Sequence, residues 1–112
     1  MSTPASIDTD TLRVRLAAAD PPLLLAATSL ADFQRARIPG ARHFGDMATL
    51  IREVPRDRAI VVTHNGTDDL TVAWARRLLV EHGYRDVTIH LGGLRAWEAA
   101  ALPLDSFARD VN

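Results

Sequence analysis

The residues best equipped for chemistry stand together in the stretch "HNGTDDL": His64, Asn65, Gly66, Thr67, Asp68, Asp69 and Leu70. An imidazole can act as a base or a phosphate-accepting nucleophile, provided that donors stabilise the transferred oxygens. The backbone around Gly66 offers such donors, whereas two neighbouring carboxylates oppose a negative charge there. His64 with Asp68 or Asp69, joined by His43 from another loop, also supplies nitrogen and oxygen ligands suited to a divalent ion, although their spacing fixes no geometry. A third reading asks less of these residues. His64 hydrogen-bonds a backbone group at a strand end, and an aspartate caps the following helix, stabilising it by about 0.5 to 2 kcal/mol. On that reading the pocket is filled by its own cap.

The totals narrow the field. A chain of 112 residues is the size of one compact domain, and 47% hydrophobic residues with a mean hydropathy of -0.01 belong to a globular protein. The longest uninterrupted apolar run, Leu23 to Ala27, is far too short for a membrane helix. "MSTPASIDTD" has neither a basic start nor an apolar stretch, so a cytoplasmic location is the expectation. Net charge is -1 with the charges scattered, which leaves no basic field for nucleic acid. All 13 basic residues are arginine, which excludes Schiff-base lysines. There is no cysteine, which removes disulfides, thiolate metal sites and thiol catalysis.

The elements that must position the loop follow from periodicity and punctuation. Asp8 caps a first helix carrying Leu12 and Leu16, which "DPP" (Asp20 to Pro22) ends, and "LLLAA" reads as a buried strand. Thr28 or Ser29 caps a short helix with Leu30 and Phe33, Pro39-Gly40 makes a turn, and Ala41 to Phe44 is a brief strand. Asp46 caps a helix that Pro55 follows. "AIVVTH" is the clearest strand, apolar and β-branched as in the middle of a parallel sheet. The spacing predicts a helix from Leu70 to His82, with Leu70, Trp74 and Leu78 on one stripe beside Ala75 and Leu79, stopped by Gly83. "DVTIHL" is another strand, Gly92-Gly93 a turn, and "LRAWEAAA" a last helix. Trp74 and Trp97 read as core residues, and Arg76 and Arg77 as solvated. Alternating strands and helices imply parallel pairing through right-handed crossovers, hence an α/β domain with a mostly parallel sheet of about four or five strands and helices on both faces. Ligands in such sheets bind beyond the C-terminal strand ends, where His64 stands.

Three motifs, in order, resemble the rhodanese (thiosulfate sulfurtransferase) family. "RIPGARHF" is similar to the family's "HIPGAxx(I/F)" segment, "AIVVTHNGTDDLTVAWARRLL" to its central strand, active-site loop and helix, and "LGGLRAW" to its "GGxxxW" element; "LPL" after the last helix also fits. The resemblance runs from about Ile7 to Leu104, with short flexible tails expected on either side of a single domain. Family activity depends on a cysteine opening a six-residue loop, where it carries sulfane sulfur as a persulfide while backbone N–H groups stabilise the anion. Registering Val72 to Trp74 against the family's helix start puts His64 in that cysteine's place. An imidazole cannot carry a persulfide. Asp69 replaces the arginine usual near the loop's end, Ala26-Ala27-Thr28 replaces Asp-Val-Arg after the first core strand, and Arg37 replaces a histidine.

The resemblance therefore implies a rhodanese-like domain without sulfurtransferase activity, kept as a binding or regulatory module. An unidentified protein partner or small ligand would meet the 64–70 loop. No catalytic residue, cofactor or metal is assigned, and no nucleic acid or membrane partner is expected. The alternatives are an enzyme using His64 without a thiol, or a loop that binds a divalent metal.

Overall fold

The computed structural model describes residues 6–66 and 69–106, with Asp69 described by its backbone alone. Thr67, Asp68, the Asp69 side chain, and residues 1–5 and 107–112 of the expected tails lie outside the described residues. So does the expected aspartate cap on the helix after the loop. Of the remaining tail residues, Ser6 joins the sheet and Asp105 pairs with the Arg37 backbone.

The strands are β1 (Ser6–Ile7), β2 (Leu23–Ala26), β3 (Arg42–His43), β4 (Ile60–Thr63) and β5 (Val87–His90). The helices are α1 (Thr9–Leu16), α2 (Leu30–Arg35), α3 (Met47–Glu53), α4 (Asp69–Glu81) and α5 (Gly93–Ala99). All pairings among these strands are parallel, in the order β1-β5-β4-β2-β3. Each parallel step needs a crossover, and the helices supply it. The sequence reading missed β1, since two residues carry no periodicity.

Strand side chains alternate between faces, so each central strand feeds two cores. Leu25, Ile60 and Val62 enter a cluster with Leu50, Val72, Ala75, Leu79 and Tyr84, under α3 and α4. Leu24 and Val61 point the other way, against Leu12, Ile38 and Trp97 under α1 and α5. The Trp97 indole N–H donates to the Pro103 carbonyl (2.8 Å), which fastens the "LPL" segment over this second core. Asp8, Ser29 and Asp46 each accept an N–H from the first turn of α1, α2 and α3. The first helix nonetheless stops at Leu16, short of the Asp20-Pro21-Pro22 stretch expected to end it.

One expectation about α4 is corrected. Val72, Ala75 and Leu79 face the sheet, while Leu70 is 83% and Trp74 58% exposed. Both stripes are apolar, so the 3.6-residue period does not choose between them. The stripe with the smaller side chains lets the helix lie closer to the sheet, and it is the one that packs. Arg76 is likewise half-buried, donating from Nε to the Val87 carbonyl (3.0 Å).

Candidate functional site

The C-terminal ends of β2, β3 and β4 open into a cavity of about 370 Å³. Its lining includes Thr28 and Ser29 after β2, Phe44 and Gly45 after β3, His64 and Asn65 after β4, Asp32 of α2, His43 of β3, and Thr71 and Trp74 of α4. This is the edge at which open parallel sheets hold ligands.

His64 is 3% exposed, and backbone groups occupy both of its ring nitrogens. Nε2 lies 3.0 Å from the Leu91 carbonyl, which can only accept, so Nε2 carries the hydrogen. Nδ1 accepts the Gly66 N–H at 2.9 Å. These partners assign the tautomer and leave neither nitrogen a lone pair directed at the cavity. The loop carbonyls are engaged as well: His64 accepts the Leu94 N–H at 2.6 Å, and Asn65 the Arg95 N–H at 3.3 Å. The N–H groups that begin α5 thus hold the loop itself.

Glycines make this packing possible. Gly93 has φ +63°, and a Cβ there would sit 2.6 Å from the His64 carbonyl oxygen and 2.8 Å from the Gly66 nitrogen. Gly66 has φ +100° and lies against the Arg95 side chain, which a Cβ would meet at 2.9 Å. A side chain at Gly93 would have to move the loop, and one at Gly66 would have to move the Arg95 side chain and adopt a left-handed backbone.

On the α2 side, Asn65 Nδ2 donates to Asp32 Oδ2 (2.9 Å), and Arg35 Nη2 lies 2.7 Å from Asp32 Oδ1. The Asn65 amide foremost, then Ser29 and Arg35, hold the Asp32 carboxyl below the ordinary carboxylate range against the opposing effect of burial. His43 donates from Nε2 to the Thr28 carbonyl (2.7 Å) and stacks at a tilt on Phe33, with centroids 5.4 Å apart. Trp74 stands beside Phe44, with centroids 6.3 Å apart.

A second histidine lies beneath. His90 is fully buried, with Nε2 2.8 Å from the Thr9 hydroxyl and Nδ1 2.9 Å from the Thr63 hydroxyl. Burial, then the proximity of His64, lowers its pKa to about 4, opposed by Asp8.

Of the residues singled out from sequence, His64 and Asn65 line one wall of the cavity, Gly66 is hydrogen-bonded to His64, and Leu70 is exposed on α4. His43 lines the same cavity, but among the described residues no three His, Asp or Glu side chains group as metal ligands. The sequence reading passed over Asp32 and His90. An aspartate just inside the helix after a core strand, and a histidine ending an apolar one, were the available signals.

A sequence model described as "Rhodanese-like domain" matches residues 8–100. No curated protein matches the chain. Among solved structures, the Alr3790 protein of Anabaena sp. is 25% identical, with a TM-score of 0.80 over 95% of this chain and 98% of its own. A rhodanese-like domain protein of Staphylococcus aureus is 20% identical, with a TM-score of 0.70 over 87% of this chain and 91% of its own. Thiosulfate sulfurtransferase of Pseudomonas aeruginosa is 22% identical, with a TM-score of 0.76; the match covers 94% of this chain and 20% of that one. No helix among the described residues is long and apolar enough to cross a membrane.

Proposed function

The chain belongs to the rhodanese-like domain family, and from that premise we propose that it is a member without sulfurtransferase activity, serving as a binding or regulatory module whose ligand meets the cavity beside the 64–70 loop. Sulfur transfer through a persulfide needs a thiolate to take up the sulfane sulfur, and this chain has no cysteine. The observation that carries the reading is the anchoring of His64 by the Leu91 carbonyl and the Gly66 N–H. The side chain at the family's nucleophile position is built into the wall. A fold can outlast its chemistry because core packing and catalysis rest on different residues.

The same geometry weighs against the alternatives. A general base, a phosphate acceptor or a metal ligand needs a nitrogen lone pair facing its substrate or ion. On His64 one nitrogen holds a hydrogen donated to Leu91, and the other accepts from Gly66.

A thiosulfate:cyanide assay tests the proposal directly. The expected result is no thiocyanate above the buffer rate and no sulfur adduct by mass spectrometry after exposure to thiosulfate. A cyanide-labile adduct of one sulfur atom would overturn it. His64→Cys is expected to recover little turnover, because no arginine is among the lining residues described and the loop sequence adds two carboxylates.

A further inference from the structure

We propose that the cavity binds an organic cation, a guanidinium or ammonium group, held by the Asp32 carboxylate and the exposed indole of Trp74; the inference rests on reading the domain as a binding module. The polarity of the lining carries it. Three side-chain donors that line the cavity already have acceptors within the protein: His43 donates to the Thr28 carbonyl, Asn65 to Asp32, and the Thr28 hydroxyl to the Ser29 carbonyl. An anion meeting these groups would have to displace their bonds, and no arginine is among the described lining residues to compensate it.

Acceptor capacity is what remains. The Asp32 carboxylate takes Asn65 on Oδ2, Arg35 on Oδ1 and a side-chain bond from Ser29, and its two oxygens together offer about four acceptor positions. The Arg35 side chain is largely exposed, and such a pair with its own helix neighbour exchanges readily for a better-placed cation. Trp74 stands at the rim as an exposed large ring with Phe44 behind it, and the face of an indole attracts cations most strongly among the aromatic side chains. A volume of about 370 Å³ accommodates a guanidinium and its alkyl stem.

The test is an amide NMR titration of the isotope-labelled full chain with methylguanidinium, with a capped peptide bearing one central arginine, and with thiosulfate, all at equal ionic strength. Both cations are expected to shift Thr28, Asp32, Asn65 and the Trp74 indole N–H saturably, and thiosulfate to shift none of them saturably. Asp32→Asn should weaken cation binding by about tenfold or more, the scale of one lost charge-assisted hydrogen bond. Arg35→Ala should tighten it by about two- to threefold by removing the competing cation. Opposite signs at two adjacent charges would not follow from a merely structural role. A clearly tighter peptide assigns the cation to a partner's side chain, and equal affinities assign it to a free small molecule; both support the proposal. Failure of both cations to saturate, an unaffected Asp32→Asn variant, or thiosulfate saturating the same resonances would overturn it. Absence of cation binding without thiocyanate turnover leaves the binding-module reading standing, whereas turnover would remove that reading whatever the cations do.

Discussion

The inner wall of the cavity, built by β4, its loop and α5, and the outer rim, built by α2 and α4, treat their polar groups in opposite ways. Along the inner wall the His64 nitrogens, the Gly66 N–H and the carbonyls of His64 and Asn65 are all paired within the protein. At the rim, Asp32 has an exposed arginine for a partner, and the Trp74 ring stands in solvent. A wall whose polar groups satisfy one another is stable and chemically quiet. A rim with acceptor capacity and exposed aromatic surface is what a ligand can use. The difference separates the residues that keep the fold from those that can recognise something.

The largest expected effect comes from forcing the inner wall apart. Gly93→Val places a side chain against the His64 carbonyl and the Gly66 nitrogen at a backbone conformation that branched residues avoid. A loss of about 3 kcal/mol or more is expected in urea denaturation, and a near-neutral result would show that the wall is looser than its geometry. Next comes pH. The pKa of His90 falls from 6.5 to about 4 on folding, so the unfolded chain binds the proton more tightly. The associated stability is complete above about pH 6.5 and is lost as pH falls toward 4, on the order of 2 to 3 kcal/mol. His90→Asn should flatten that part of the stability profile, and an unchanged slope would assign the acid sensitivity elsewhere. Asp8, Asp32 and Asp46, whose carboxyls are held below their ordinary values, add losses at still lower pH.

Smaller effects sharpen the contrast. His64→Ala leaves the Leu91 carbonyl and the Gly66 N–H without their partners and should cost about 2 kcal/mol. A destabilisation indistinguishable from zero would mean that water replaces the ring, and the quiet wall would no longer be quiet. Trp74→Ala should change stability by less than about 1 kcal/mol, because the ring lies mostly outside the core. A loss as large as that of a core tryptophan would place it on the wrong side of the comparison.

The architecture was legible in the sequence because its signals are local. The β-branched run Ile60 to Thr63, the aspartate and serine caps at Asp8, Ser29 and Asp46, and the ordered "IPGA" and "GGLRAW" motifs all act within a few residues of where they are read. The site was legible only to the level of the loop. That His64 is anchored depends on Leu91, distant in the chain, and the role of Asp32 depends on Asn65 from a different crossover. Trp74 was misplaced for a related reason: two apolar stripes ran along one helix, and only the sheet could choose between them.

The sheet's outermost strands, Ser6–Ile7 and Arg42–His43, are two residues long each, while Ile60–Thr63 is flanked on both sides by β2 and β5. The apolar, β-branched stretch Ile60–Thr63 therefore has no vacant backbone edge, and the described edge strands are too short to template further growth. Strand order thus shields the backbone of the central strand from edge-to-edge pairing, independent of whatever the cavity holds.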